Sequence, residues 1–255
     1  MNRDLGLAAF LLLVVAGAGW WLYSKPEPQT AAPLPLPAED SVPEVPAEPN
    51  NVVPAIRDPQ NLVDLPTLDD SDGYFQLELR DLFGTALDTL LVESGGIERF
   101  VATIDNLPRK TIAESIRPLR PVTGSIVVED GRIAVPNADR YDVYVALFTQ
   151  GSVDEMVDAY TRFYPLLQEA YEQLGYPGAY FNDRLIAVID HLLATPDAEA
   201  GLTVVRPHVL YEYADPELEA LSAGQKILLR VGPAHASAVK ARLAELRSRL
   251  TTLQD

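Results

Sequence analysis

The sequence predicts a mainly α fold with a small antiparallel β element, an α+β domain, carried behind one N-terminal transmembrane helix. Three observations lead to this. Residues 5–23 form an uncharged apolar run. Apolar residues then recur at spacings of three and four along much of residues 67–255. Two β-branched runs also flank an Asp-Gly pair.

Leu5 to Tyr23 spans about 28 Å as a helix at ~1.5 Å per residue, close to the hydrocarbon thickness of a bilayer. Arg3 precedes the run, and acids dominate after Lys25. The positive-inside rule therefore places residues 1–4 in the cytoplasm and everything beyond 23 outside it. Trp20, Trp21 and Tyr23 sit where an interfacial aromatic belt belongs. Ala16-Gly17-Ala18 also fits a signal-peptide cleavage site, which gives the same side for the domain. The expected location is the inner membrane, single pass, with the C-terminal domain in the periplasm.

Residues 24–66 are rich in proline and acids, as in Pro33-Leu34-Pro35-Leu36-Pro37. Proline fixes φ and removes backbone donors, so this stretch reads as an extended stalk. It works as a spacer or, less simply, as a docking site for a proline-recognising partner.

In the domain, 67–255, Asp69-Asp70-Ser71-Asp72 precedes an amphipathic stretch at 75–83 and reads as its cap. Apolar runs follow at 86–92 and 97–104. Ser125 to Val128 and Arg132 to Val135 around Asp130-Gly131 predict a hairpin with a tight primed turn. Ser152 and Glu155 form a capping-box pattern before a long helix, from Val153 towards Leu174, that should kink or split at Pro165. Another helix is expected over Phe181 to Leu193. Leu202 to Arg206 and Val209 to Tyr213 read as edge strand interrupted at Pro207. Asp215 caps a helix at Pro216, and Ser222 with Gln225 starts a further one. The last helix carries a seam of Ala236, Val239, Leu243, Leu246, Leu250 and Leu253. It suits one neighbouring helix, either in the same chain or as a partner helix at Ala236–Leu253.

The chain carries a net charge of −17 and has no cysteine. The acidic field disfavours nucleic acid. The missing thiols exclude disulfides, thiolate zinc sites and a cysteine nucleophile. His191, His208 and His235 are scattered, so no metal or cofactor is assigned. No nucleophile elbow, Walker loop or dinucleotide fingerprint is present. Tyrosines concentrate between Tyr160 and Tyr213, where they serve a core or a groove for a glycan or peptide. Candidate binding residues are Tyr176, Tyr180, Asp183, Arg184, Asp190, His191, Tyr211 and Glu212.

Several blocks occur together in order: Asp105-Asn106-Leu107-Pro108, Arg140-Tyr141, the run from Tyr164 to Tyr171, Gly175-Tyr176-Pro177, Phe181-Asn182-Asp183-Arg184, Ile189 to Leu193, Tyr211-Glu212, and Asp215 to Lys226. Together they resemble a bacterial family catalogued as domain of unknown function 3014. The resemblance covers most of 67–255. It implies an envelope protein with an N-terminal anchor, and it implies no activity. The expected function is an interaction or assembly module of the cell envelope, with an envelope protein as partner. The alternative is an envelope enzyme or a glycan- or peptide-binding protein using 176–215.

Overall fold

A computed structural model describes residues 48–54 and 65–253. The expected transmembrane helix, Leu5–Tyr23, and most of the stalk lie outside the described residues. No helix among the described residues is long and apolar enough to cross a membrane.

The domain is mainly helical. Its α-helices are α1 (Asp72–Phe83), α2 (Gly96–Asn106), α3 (Asp142–Gln150), α4 (Val153–Gln173), α5 (Phe181–Leu193), α6 (Pro216–Glu219), α7 (Ala223–Arg230) and α8 (Pro233–Thr251). Two antiparallel pairs, β1 (Val128–Glu129) with β2 (Arg132–Ile133) and β3 (Val204–Val205) with β4 (Glu212–Tyr213), supply the β part. One apolar core lies among α1 to α5, α7 and α8. A smaller cluster of Ile133, Val204, Tyr213 and Leu229 sits beneath the strands.

The β1–β2 turn has Asp130 at φ 49° and Gly131 at φ 73°, the pair of positive φ values a primed turn requires. Val204 pairs with Tyr213 in β3–β4, and Pro207 falls in the connection. Both pairs are shorter than the apolar runs that encode them. The Asn137 side chain accepts from Val127 N–H and donates to Val127 O beside the first pair. Arg132 bridges to Thr203, which sets the two pairs side by side.

Caps form where the residue types demand them. Ser152 accepts from Glu155 N, Asp215 from Glu217 N, and Ser222 with Gln225 makes a complete capping box. The acids before α1 behave differently from expectation. Ser71 takes the N-cap position without a side-chain bond. Asp72 reaches across to the start of α2, where its two oxygens accept Gly95 N at 3.0 Å and Gly96 N at 2.8 Å.

Pro165 does not split α4 into two, because the helix runs unbroken over 21 residues. Pro165 is exposed, while Phe163, Leu166 and Leu167 beside it are buried and hold both halves on the core. A proline in a helix interior costs ~3 kcal/mol, partly offset by about 1 kcal/mol of lost unfolded-chain entropy. Pro165→Ala is therefore expected to raise stability by about 1–2 kcal/mol in urea unfolding. A variant less stable than the parent would show that the ring itself packs.

The α8 seam is filled by its own chain. Val239, Leu243 and Leu250 are each 1% exposed, and α8 lies against α3, α4, α5 and α7. Its basic side chains also find acids of the same domain: Lys240 pairs with Asp197 at 2.7 Å, Arg247 with Asp190, and Arg249 with Asp154. Such exposed pairs add at most ~1 kcal/mol each, so the apolar seam carries the docking.

Candidate functional site

The α2 helix buries Ile97, Phe100, Val101 and Ile104. Asp105 comes four residues after Val101 and thus falls on the same apolar face. Its side chain is 2% exposed. A carboxylate there must be paired, and three side chains meet it. Arg109 Nη2 donates to Oδ2 at 2.9 Å, Arg184 Nε to Oδ1 at 2.9 Å, and the Tyr176 hydroxyl to Oδ2 at 3.2 Å. Arg184 Nη2 also donates to the Asp105 carbonyl at 2.7 Å. The Tyr176 ring stacks on Tyr171 with centroids 4.8 Å apart. Burial first, then the neighbouring Asp105 and Tyr176, push the Tyr171 hydroxyl up to about 12 against the pull of Arg184. Tyr171 therefore stays neutral at any physiological pH.

Two guanidiniums against one carboxylate leave local positive charge on an acidic domain. Arg109 is the more open of the two, with 56% of its side chain exposed. The group joins the end of α2 to the loop before α5 and to α5 itself. It can brace that junction and offer spare donors to an anion. It is poorly suited to general-base work, since the Asp105 oxygens already accept three strong donors.

Beside it, His191 Nε2 lies 2.8 Å from Ser222 Oγ. The pair resembles a nucleophile and base, but the surroundings make it a joint. Ser222 caps α7. The next backbone donors are spent, with Ala223 N on Arg109 O at 2.7 Å and Gly224 N on Leu107 O at 3.0 Å. No oxyanion donors remain there. The contact is close: a Cβ on Gly224 would sit 2.7 Å from Leu192 Cδ2 and 3.1 Å from Leu107 O.

Burial, then the charge on Arg184, lowers the His191 pKa below 6.5. The unfolded chain thus binds its proton more readily than the folded one. Stability is expected to be full above pH 6.5 and to fall as pH drops below it. His191→Gln should flatten that dependence in unfolding midpoints measured between pH 8 and 5.5. An unchanged slope would assign it to other groups.

The structure brings Tyr176, Arg184 and His191 into one region and disperses the other candidates. Asp183 faces a separate partner, residues 50–51 of the stalk. Tyr180 occupies the N-cap position of α5 without a capping bond. Asp190 pairs with Arg247 on α8. Tyr211 packs on the smaller cluster with Arg206 5.3 Å over its ring, and Glu212 lies in β4 opposite Val205. Residue-type reasoning left out Asp105, Arg109, Asn182 and Ser222. A charged residue on the apolar stripe of α2 was the available signal for Asp105.

Among the described residues, no group of three or more His, Asp or Glu is arranged to hold a metal ion. No curated protein and no solved structure matches the chain. A family model does match, and its residues 96–247 contain Asp105, Arg109, Tyr176, Arg184, His191 and Ser222. The chain belongs to the family described as protein of unknown function DUF3014.

Proposed function

We propose that this protein is an interaction or assembly module of the bacterial cell envelope. Leu5–Tyr23 tethers it to the inner membrane and the domain stands in the periplasm. The observation that supports this reading best is the end of the stalk. Asn50 and Asn51 are held by Asp183 on α5, and Val53 packs on the main core. The docked segment thus begins at residue 50. Residues 26–49 in extended polyproline form reach about 75 Å at ~3.1 Å per residue, so the domain is carried at a limited stand-off. A tether of bounded length matters for a domain that must meet a partner at a set height.

The absence of native cysteine makes the topology directly testable. Single cysteines replace Asn2 and Thr252 in turn, and spheroplasts are treated with a membrane-impermeant thiol reagent. Labelling of the Thr252→Cys protein alone is expected, and any other pattern overturns the placement. Cross-linking of the full-length protein in its native membrane, beside a stalk-deleted form, tests the assembly role. A stoichiometric partner lost on deletion is expected. Its absence from both forms overturns that role.

A further inference from the structure

We infer that the first turn of α5 is a peptide-binding site, occupied in cis by the chain's own Asn50–Val53, and that a segment of an envelope partner bent in the same way takes the strap's place. The inference deepens the interaction-module reading and rests on it for the nature of the partner.

The strap is held as a ligand is held. Both oxygens of Asp183 accept consecutive backbone N–H groups, Asn50 N on Oδ2 and Asn51 N on Oδ1, each at 2.9 Å. Asn51 Nδ2 adds a third bond to Oδ1 at 2.8 Å. In return, Asn182 Nδ2 donates to Asn51 O at 3.0 Å. The residues joined are more than 130 apart in sequence, as the separation of 132 between Asn51 and Asp183 shows. No helix or strand continues from one to the other.

The receiving side is built in advance. Asn182 is fully buried at 0% exposure. The Tyr160 hydroxyl donates to its Oδ1 at 3.0 Å, which fixes the amide with Nδ2 towards the strap. Burial drives the Tyr160 pKa well up, so this donor keeps its proton. Asp183 lies in the first turn of α5, where the helix dipole favours a carboxylate. The site thus offers two acceptor oxygens and one donor, matched to the N–H, N–H and C=O of adjacent peptide units.

Main-chain recognition of this kind tolerates varied sequence, and the side chains set the rest. The strap bends at Asn50 and Asn51, and the bend turns two consecutive N–H groups onto one carboxylate. Asn51 turns its amide to Asp183 and Val53 packs on the core, while Val52 between them is 41% exposed. The motif selected is therefore an asparagine followed two residues later by a small apolar residue. A partner segment of that pattern competes with the strap, whose cis attachment gives it an effective concentration on the order of millimolar.

The test uses purified full-length protein and a capped peptide of the sequence Glu48–Pro54 carrying a fluorophore. Asn51→Pro removes two of the strap's three donors to Asp183, the Asn51 N–H and the Asn51 side-chain amide, while leaving Asp183 and Asn182 intact. A strap docked nine-tenths of the time lowers apparent affinity about tenfold. The peptide is thus expected to bind the Asn51→Pro protein about tenfold more tightly than the parent. Adding Asp183→Asn should abolish binding, with the circular dichroism spectrum unchanged. A scrambled peptide should not bind. Equal affinity for parent and Asn51→Pro, no binding to Asn51→Pro at millimolar peptide, or undiminished binding to a folded double variant would each overturn the inference. The assay is independent of topology. Its failure leaves the tethered module standing, and a reversed thiol-labelling pattern leaves the peptide result untouched.

Discussion

Replacing Asp105 with alanine is expected to cost about 3 kcal/mol of folding stability, the low end of the range for breaking a buried ion pair. The carboxylate is 2% exposed, while 56% of Arg109 and 29% of Arg184 reach solvent. Water recovers part of the charge left behind, and for that reason the lower end is the right one. What water does not recover is the geometry. Arg184 Nε loses its acceptor, and the Tyr176 hydroxyl loses the partner that orients it against Tyr171. Asp105→Asn keeps the shape and one acceptor, so a smaller loss is expected, with the charge-assisted share of the bonds gone. Urea unfolding of both variants checks the ordering. A loss below about 1 kcal/mol for alanine would mean that the cluster is only a surface pair network.

The Phe181→Ala substitution is expected to cost about 3–5 kcal/mol through the cavity it opens. Phe181 is 0% exposed. Its ring meets Phe100 of α2 at 6.2 Å and Tyr171 of α4 at 5.6 Å. One side chain at the first position of α5 therefore locks three helices together. Its backbone N–H also donates to Gln168 Oε1 at 2.9 Å, which fixes the entry of the chain into the helix. Phe181→Leu fills most of the volume and is expected to cost less than about 1.5 kcal/mol. A small loss for the alanine variant would require the three helices to close around the gap, and interior packing at crystal-like density resists that. Loss of Phe181 should also weaken the strap, because Asn182 and Asp183 follow it in the same turn.

Much of the fold was legible because its rules act over a few residues. Ser152, Asp215 and Ser222 bond backbone N–H groups two or three positions on. The Asp130-Gly131 turn needs only its own two φ values. The spacing of Val239, Leu243, Leu246 and Leu250 declares one buried face whatever covers it. The blocks from Asp105 to Lys226 were enough to place the chain in its family. Partner choice was legible only in three dimensions. Asp72 looked like the cap of its own helix and caps the next one. Pro165 looked like a break, yet the helix continues through it with buried neighbours on both sides. Asp183 and Arg184 were both candidate binding residues, yet the two adjacent side chains diverge, one to the stalk and one to Asp105. Asp105 itself gathers Tyr176 and Arg184 from 71 and 79 residues away. A cap or a turn closes a loop of a few atoms, so local residue types decide it. A contact across more than seventy residues depends on where the packed core leaves each backbone, and that is a property of the whole fold.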